Sequence, residues 1–125
     1  MNKVILNGNL VRDMEVRQTS NGTDVGEFTI ANNVGYGDNQ KTTFVKCTLF
    51  GTRVESLQHY LIKGAKVLVE GSLEINNYKD DNDNWKTYVN IVVGELEIIK
   101  FVDEEEVKEE PKKSTKNGRN NTRKK

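Results

Sequence analysis

Apolar residues recur at every second position through most of the first hundred residues. Near the N-terminus Val4 and Leu6 alternate with polar neighbours, and Phe28 and Ile30 do so within "VGEFTIANN". Residues two apart lie on one face of an extended chain, so each segment predicts a strand with one buried face. The same alternation in "TTFVKCTLF", "AKVLVEGSLEINNY" and "WKTYVNIVVGELEIIK" brings the predicted number of strands to five.

One segment, "GTRVESLQHYLIKG", departs from this period. Val54, Leu57 and Leu61 recur at helical spacing, and Thr52 with Glu55 matches a capping box at a helix start. The segment therefore predicts the one helix, placed between the third and fourth strands. An all-β chain of five strands in this order predicts an OB-fold, a small and partly open barrel.

The third strand has a face that the barrel core does not need. Alternation assigns Val45, Cys47 and Leu49 to the core, because these residues share one side of the strand. The opposite side carries two aromatic rings that flank a cation, and it comprises Phe44, Lys46, Thr48 and Phe50. Exposed apolar side chains are common singly, but this series on one strand face predicts a binding surface.

The hairpin of the fourth and fifth strands extends the pattern. Its core side is predicted to comprise Val67, Val69, Leu73 and Ile75, which places Tyr78 on the opposite side with Lys66. We assign Trp85 to the same side as Tyr78, although the fifth strand slips register near Gly94, as at a β-bulge.

Aromatic rings interleaved with Lys and Arg suit single-stranded nucleic acid, because unstacked bases stack on the rings while the cations contact phosphates. The predicted contacts are Tyr36, Phe44, Phe50, Tyr78 and Trp85 among the aromatics, and Lys3, Arg12, Arg17, Lys46, Lys66, Lys79 and Lys86 among the cations. The alternative is that Phe44 and Phe50 pack in a subunit interface or under a loop.

Length and charge divide the chain into two parts. The 125 residues are 34% hydrophobic and have a formal net charge of +0, which allows one modest domain. Residues 1–102 form the predicted domain, and residues 103–125 are charged and polar enough to predict a disordered tail, acidic first and basic at its end.

No apolar run is long enough to span a bilayer and no secretory signal is evident, so we expect no membrane association and a cytoplasmic location. Cys47 is the only cysteine and is expected to be buried.

The segments "NKVILNGNLVRDMEVRQTSNG", "FTIANN", "TLFG" and "YLIKGAKVLVEGSLE" resemble, in order and spacing, the signature segments of the bacterial single-stranded DNA-binding proteins. The resemblance covers about residues 2–101. It implies an OB-fold, generally a homotetramer, that coats single-stranded DNA without sequence preference in replication, recombination and repair, as a nucleoid-associated protein. It implies no cofactor, no metal and no catalytic residue.

The resemblance also implies roles for single residues. The base-stacking positions of the family match Tyr36, Phe44, Phe50 and Tyr78, whereas Trp85 matches none of them. Members of the family typically end in an acidic tip that recruits replication and repair enzymes, but this chain ends in "NGRNNTRKK". Docking of such enzymes is therefore in doubt.

Two other functions remain open on sequence alone. An enzyme would have to rely on carboxylates such as Asp80, Asp81 and Asp83, which are better explained as solvated turn residues, and the lone His59 lies off the helix stripe. A protein-interaction OB module, such as a replication-restart accessory subunit with secondary DNA binding, is the stronger alternative. The interleaving of aromatic and cationic residues favours DNA.

Overall fold

The computed structural model describes residues 1–102, so the predicted tail of residues 103–125 lies outside the described residues. The elements in chain order are strands β1 (Val4–Leu10), β2 (Glu15–Gln18), β3 (Asp24–Val34) and β4 (Lys41–Phe50), helix α1 (Arg53–Leu57), and strands β5 (Lys66–Lys79) and β6 (Trp85–Lys100), with a short 3₁₀ turn (Gly37–Asn39) before β4. Within residues 1–102, no helix is long and apolar enough to span a membrane.

The six strands form one sheet that curls into a ring. Its order is β1-β5-β6-β4-β3-β2, and β1 also pairs with β3 at Asn9 and Leu10, which joins the two sides of the sheet. The pairings are antiparallel except between β4 and β6, which run parallel. This ring, with α1 between β4 and β5, confirms the predicted OB-fold.

The interior of the ring is filled by the apolar residues that alternate along the strands. Ile30, Leu49 and Ile91 are almost completely buried there, and α1 and the loop after it add Val54 and Leu61. Each such side chain contributes about 1.5–3 kcal/mol by leaving water. Cys47 is also buried, as predicted, and its burial raises the pKa of the thiol from 9.0 to about 12.

Strand β2 is the sixth strand, which the alternation did not predict. All four of its residues are exposed, so its sequence carries no apolar period to detect. It is held instead by pairing with β3, from Glu15 beside Glu27 to Gln18 beside Asp24. Gly22 has a φ of 88° in the turn that joins the two strands, a conformation that glycine adopts without strain.

Helix α1 is shorter than predicted, and the predicted capping box is wrong. The helix has five residues, and Thr52 at its start makes no side-chain capping bond. The backbone of Thr52 is already helical, with φ −66° and ψ −22°, whereas a capping side chain generally needs an extended backbone. Val54 and Leu61 still anchor the segment in the core, and His59 is exposed, as predicted.

Strands β5 and β6 continue past the barrel as a projecting hairpin. Their register shifts where Glu70 pairs with Glu95 and Gly71 with Val93, which passes over Gly94 and confirms the predicted bulge. β1 pairs with β5 only as far as Gly71. The assignment of Leu73 and Ile75 to the core is therefore wrong, because they lie on the core-side face but beyond the barrel, and they are 38% and 55% exposed.

Candidate nucleic-acid interface

Three adjacent strands bring the main predicted contacts onto one outer face of the sheet. The parallel register of β4 and β6 places Lys46 beside Asn90, and the antiparallel register of β5 and β6 places Tyr78 beside Lys86. Paired residues share a face, and so do residues two apart on one strand. We call the resulting surface the aromatic face, and it comprises Phe44, Lys46, Tyr78, Lys86 and Tyr88.

The rings on the aromatic face are not used by the barrel core. Phe44 is 66% exposed and Tyr78 is 49% exposed, although both lie within regular strands. Lys46, two residues after Phe44 on β4, is half-buried, and its ammonium lies 5.2 Å from the centre of the Tyr88 ring. The face can therefore offer flat apolar surfaces and a cation to a ligand without unpacking the protein.

Tyr36 and Phe50 lie at the two ends of this surface. Tyr36 is in the connection between β3 and β4, just before the 3₁₀ turn, and its side chain is almost fully exposed. Phe50 ends β4, four residues or about 13 Å beyond Lys46, and is also exposed. The predicted stacking residues thus run along β4 and across the sheet to β5.

Trp85 does not share this face, which corrects the predicted placement. It pairs across the hairpin with Lys79, whose ammonium lies 5.3 Å from the centre of the indole ring. Tyr78 and Lys86 form the next pair, and neighbouring pairs point to opposite sides of a sheet. The tryptophan therefore lies with Ile75 on the other side of the hairpin.

Thr48 also departs from the prediction, since it lies on the outer face but is buried. Its hydroxyl donates a 2.9 Å hydrogen bond to the side-chain oxygen of Asn90, which is buried too. The Asn90 amide donates in turn to the Glu74 carboxylate at 3.4 Å. This chain of side chains links β4, β6 and β5 directly beside Lys46, and so fixes the strands that carry the aromatic face.

Most of the predicted cations have acidic partners. Within residues 1–102, four ion pairs join exposed lysines or arginines to acids on neighbouring residues or strands: Lys3–Glu70 at 2.8 Å, Arg17–Glu27 at 3.4 Å, Lys79–Asp83 at 3.6 Å and Lys86–Asp80 at 3.9 Å. Exposed pairs of this kind contribute only ~0–1 kcal/mol, so a phosphate can replace the acid at little cost. The hydrogen bond that the Lys3 ammonium donates to the Glu70 carboxylate raises the pKa of Lys3.

Arg12 reaches the aromatic face through a surface cavity, whereas Lys66 does not reach it. The cavity has a volume of about 180 Å³ and is lined by Arg12, Asp13, Glu15, Glu27, Phe28, Thr29 and Lys46. Lys66 begins β5, twelve residues before Tyr78, which is about 40 Å along the strand. Lys3 lies near the same end, since it pairs with Glu70.

The acidic hairpin tip is organised as a turn. One oxygen of the Asp80 carboxylate accepts the backbone amides of Asn82 and Asn84, each at 2.9 Å, and Asp83 has a φ of 67°. These bonds occupy the Asp80 side chain within the loop. In the part of the chain that the structure describes, no three His, Cys, Asp or Glu side chains are grouped so as to hold a metal ion.

Tyr88 is the member of the aromatic face that the sequence reasoning missed. It lies two residues before Asn90 on β6 and pairs with Asn76 on β5. The signal was present, because Tyr88 and Lys86 are two apart and must share a face once the strand is assigned.

Comparison with known proteins shows to which family the chain belongs. Residues 1–99 match the profile of the single-strand binding protein family. The chain belongs to this family. The similar proteins include a single-stranded DNA-binding protein of Borreliella burgdorferi, 38% identical over 104 residues that cover 79% of this chain and 70% of that protein.

Other members of the family match over a similar region. A single-stranded DNA-binding protein of Bacillus cereus is 36% identical over 98 residues, covering 76% of this chain and 57% of its own length. Single-stranded DNA-binding protein 2 of Staphylococcus aureus is 34% identical over 98 residues, covering 76% of this chain and 69% of its own. The chain thus spans a little over half the length of the Bacillus cereus relative.

Proposed function

We propose that this protein binds single-stranded DNA without sequence preference and protects it during replication, recombination and repair. Bases stack on the exposed rings of the aromatic face, and lysine and arginine side chains contact the phosphates. Stacking does not depend on base identity, because every base has a flat π-surface. Phe44, Phe50, Tyr78 and Tyr36 are the proposed stacking residues, with Lys46 as the central cation.

The observation that carries the proposal is the arrangement of exposed rings around Lys46. Phe44 lies on β4 and Tyr78 on β5, with β6 between them, so the two rings stand on either side of a surface three strands wide. A side chain that served only the barrel would be buried on the inner face, as Cys47 and Leu49 are. Membership of the single-strand binding protein family supports the same ligand.

Stacking is expected to supply most of the affinity. Residues 1–102 contain 11 Lys and Arg against 13 Asp and Glu, a balance of −2, so the domain has no general excess of positive charge. Glu74 lies on the same face as Tyr78, and the aromatic face carries only two cations, Lys46 and Lys86. Few phosphates can therefore be neutralised, and the affinity should fall only gently with salt.

A homotetramer is proposed as the assembly. β3 pairs with β1 only at Asn9 and Leu10, so within the described residues the edge of β1 from Val4 to Gly8 is unpaired on that side. An open strand edge is a ready surface for joining a second copy. Light scattering at micromolar concentration tests this assembly, and a stable monomer would contradict it.

We also propose that the protein lies in the cytoplasm, associated with the nucleoid, and that it has no enzymatic activity.

The decisive experiment measures the affinity for a poly-dT oligonucleotide and for a duplex of equal length at two salt concentrations. We expect much tighter binding to the single strand, because a duplex hides its base faces. The logarithm of the affinity should fall by ~0.7 for each phosphate neutralised per tenfold rise in salt. Equal affinity for the two forms would refute base stacking, and loss of the DNA on incubation with magnesium would indicate a nuclease instead.

A further inference from the structure

We propose that Tyr88 is an additional base-stacking subsite, and that Lys46 covers its ring until a base takes the place of the ammonium. The inference rests on the proposed function and adds a residue to it. The subsite would accept any base of a single strand, between the rings of Phe44 and Tyr78.

The register of three strands places Tyr88 at the centre of the aromatic face. On one side, β4 runs parallel to β6 with Lys46 beside Asn90, so Phe44 and Tyr88 each lie two residues back from that pair. On the other side, Tyr88 pairs with Asn76. Neighbouring strands are about 4.8 Å apart and diagonal neighbours about 7–8 Å. A strand of DNA that crosses from Phe44 to Tyr78 must therefore pass over Tyr88.

Core packing does not account for this tyrosine. It faces outward, on the side of the sheet opposite to the buried residues Ile91 and Cys47. Its cross-strand partner is the polar Asn76, and it is only half-buried. The contact that the structure gives its ring is the Lys46 ammonium, at 5.2 Å from the ring centre.

A base can displace this ammonium without loss. A cation over a half-buried tyrosine ring at the surface is a weak contact, and stacking of a nucleic acid base on an aromatic ring is a stronger one. The lysine side chain is long and flexible, so its ammonium can move from the ring to a phosphate of the same strand. One exchange thus provides both a stacking surface and a phosphate contact, at the centre of the site.

The hydrogen-bonded side chains beside the subsite hold its strands in place. Thr48, Asn90 and Glu74 link β4, β6 and β5 through their side chains, and Asn90 lies two residues from Tyr88. β6 is therefore held from both sides two residues from the ring, which limits the ordering that a base must impose at this end of the hairpin when it binds.

The test compares the parent with Tyr88→Leu and Tyr88→Phe, by fluorescence anisotropy of a labelled oligo-dT. Leucine keeps an apolar side chain but lacks a ring, so we expect about 5- to 100-fold weaker binding, whereas phenylalanine should bind within about twofold of the parent. Salt dependence separates the two parts of the proposal. Lys46→Met should reduce the salt slope by about 0.7, and Tyr88→Leu should leave the slope unchanged.

Photo-crosslinking of the parent protein to an oligonucleotide that carries 5-iodouracil makes the test independent of how the variants fold. We expect an adduct on Tyr88 as well as on Phe44 or Tyr78. If the parent binds oligo-dT, and adducts form on Phe44 and Tyr78 but not on Tyr88, the inference is overturned and the proposed function stands. A folded Tyr88→Leu that binds like the parent overturns it equally. A parent that does not bind single-stranded DNA refutes the proposed function itself.

Discussion

Replacing Phe44 by alanine tests the stacking surface most directly. The ring is 66% exposed, so the fold depends on it only weakly. About a third of a side-chain area of ~200 Å², or ~70 Å², is buried, which at ~25 cal/mol per Å² gives an upper limit of about 1.7 kcal/mol for the stability loss. The protein should therefore remain folded, although with a lower melting temperature.

The effect on DNA binding should be similar in size to the effect on stability. Loss of one stacked base costs ~1–3 kcal/mol, which corresponds to a ~5- to 150-fold higher Kd for oligo-dT. Phe44→Leu should recover only a part of the affinity, because leucine is apolar but not flat. The Kd is measured by anisotropy at fixed salt, with circular dichroism as the check on folding.

Ile99→Ala provides the matched control. Ile99 is 51% exposed and also apolar, but it lies near the end of β6 where Lys100 pairs with Lys66, about 40 Å along β5 from Tyr78. Its loss should lower stability by a similar amount and leave the affinity for oligo-dT unchanged. If Phe44→Ala and Ile99→Ala weaken binding equally, the affinity reflects general stability and the aromatic face is not the site. A folded Phe44→Ala with the parent's affinity would also refute the reasoning.

Three further predictions follow from the geometry. Saturating oligo-dT should leave the fluorescence emission of Trp85 unchanged, because the ring lies on the other side of the hairpin from Tyr78, and strong quenching would contradict that placement. Unfolding exposes the Cys47 thiol and lowers its pKa from about 12 to 9.0, so the contribution of this thiol to stability is constant well below pH 9 and falls as the pH rises above it, by roughly 1 kcal/mol at pH 10. Urea titrations at pH 8 and pH 10 measure the loss of stability, which should be smaller by this amount in Cys47→Ala. Gly71→Ala would place a Cβ 2.1 Å from the Val92 carbonyl oxygen and should cost roughly 3 kcal/mol or more in thermal unfolding, whereas Gly94→Ala, with its nearest contact at 3.4 Å, should cost far less.

Alternation along the sequence predicted which side of a strand a residue faces, but not whether that side is covered. It placed Cys47 and Leu49 in the core correctly, because this end of β4 lies between β3 and β6. Leu73 and Ile75 have the same period yet are exposed, since β1 ends its pairing at Gly71. The extent of a neighbouring strand is a property of the tertiary fold, and it is not written in the local pattern.

The face of Trp85 depended on a loop rather than on a strand. The five residues from Asp80 to Asn84 set Lys79 opposite Trp85, and Asp83 adopts a left-handed backbone to close the turn. A loop one residue shorter or longer would have shifted the pairing and could have turned the indole to the other side. The placement of the other four predicted aromatics did not depend on the length of this loop, because it followed from the strand period or from the turn before β4.

The hairpin beyond the bulge has a consequence for the energetics of binding. From Ile75 to Lys79, β5 pairs only with β6 in the described part of the chain, and a two-stranded ribbon is marginally stable in water. Its amides should exchange with deuterium through local opening, much faster than those of the barrel half of the same strands. A DNA strand held against Tyr78 should slow this exchange, so part of the intrinsic affinity is used to order the ribbon. A change that loosens the ribbon away from the aromatic face, such as Thr87→Ala, which removes the 3.0 Å hydrogen bond from the Thr87 hydroxyl to the side-chain oxygen of Asn77, should then weaken DNA binding although it removes no stacking ring.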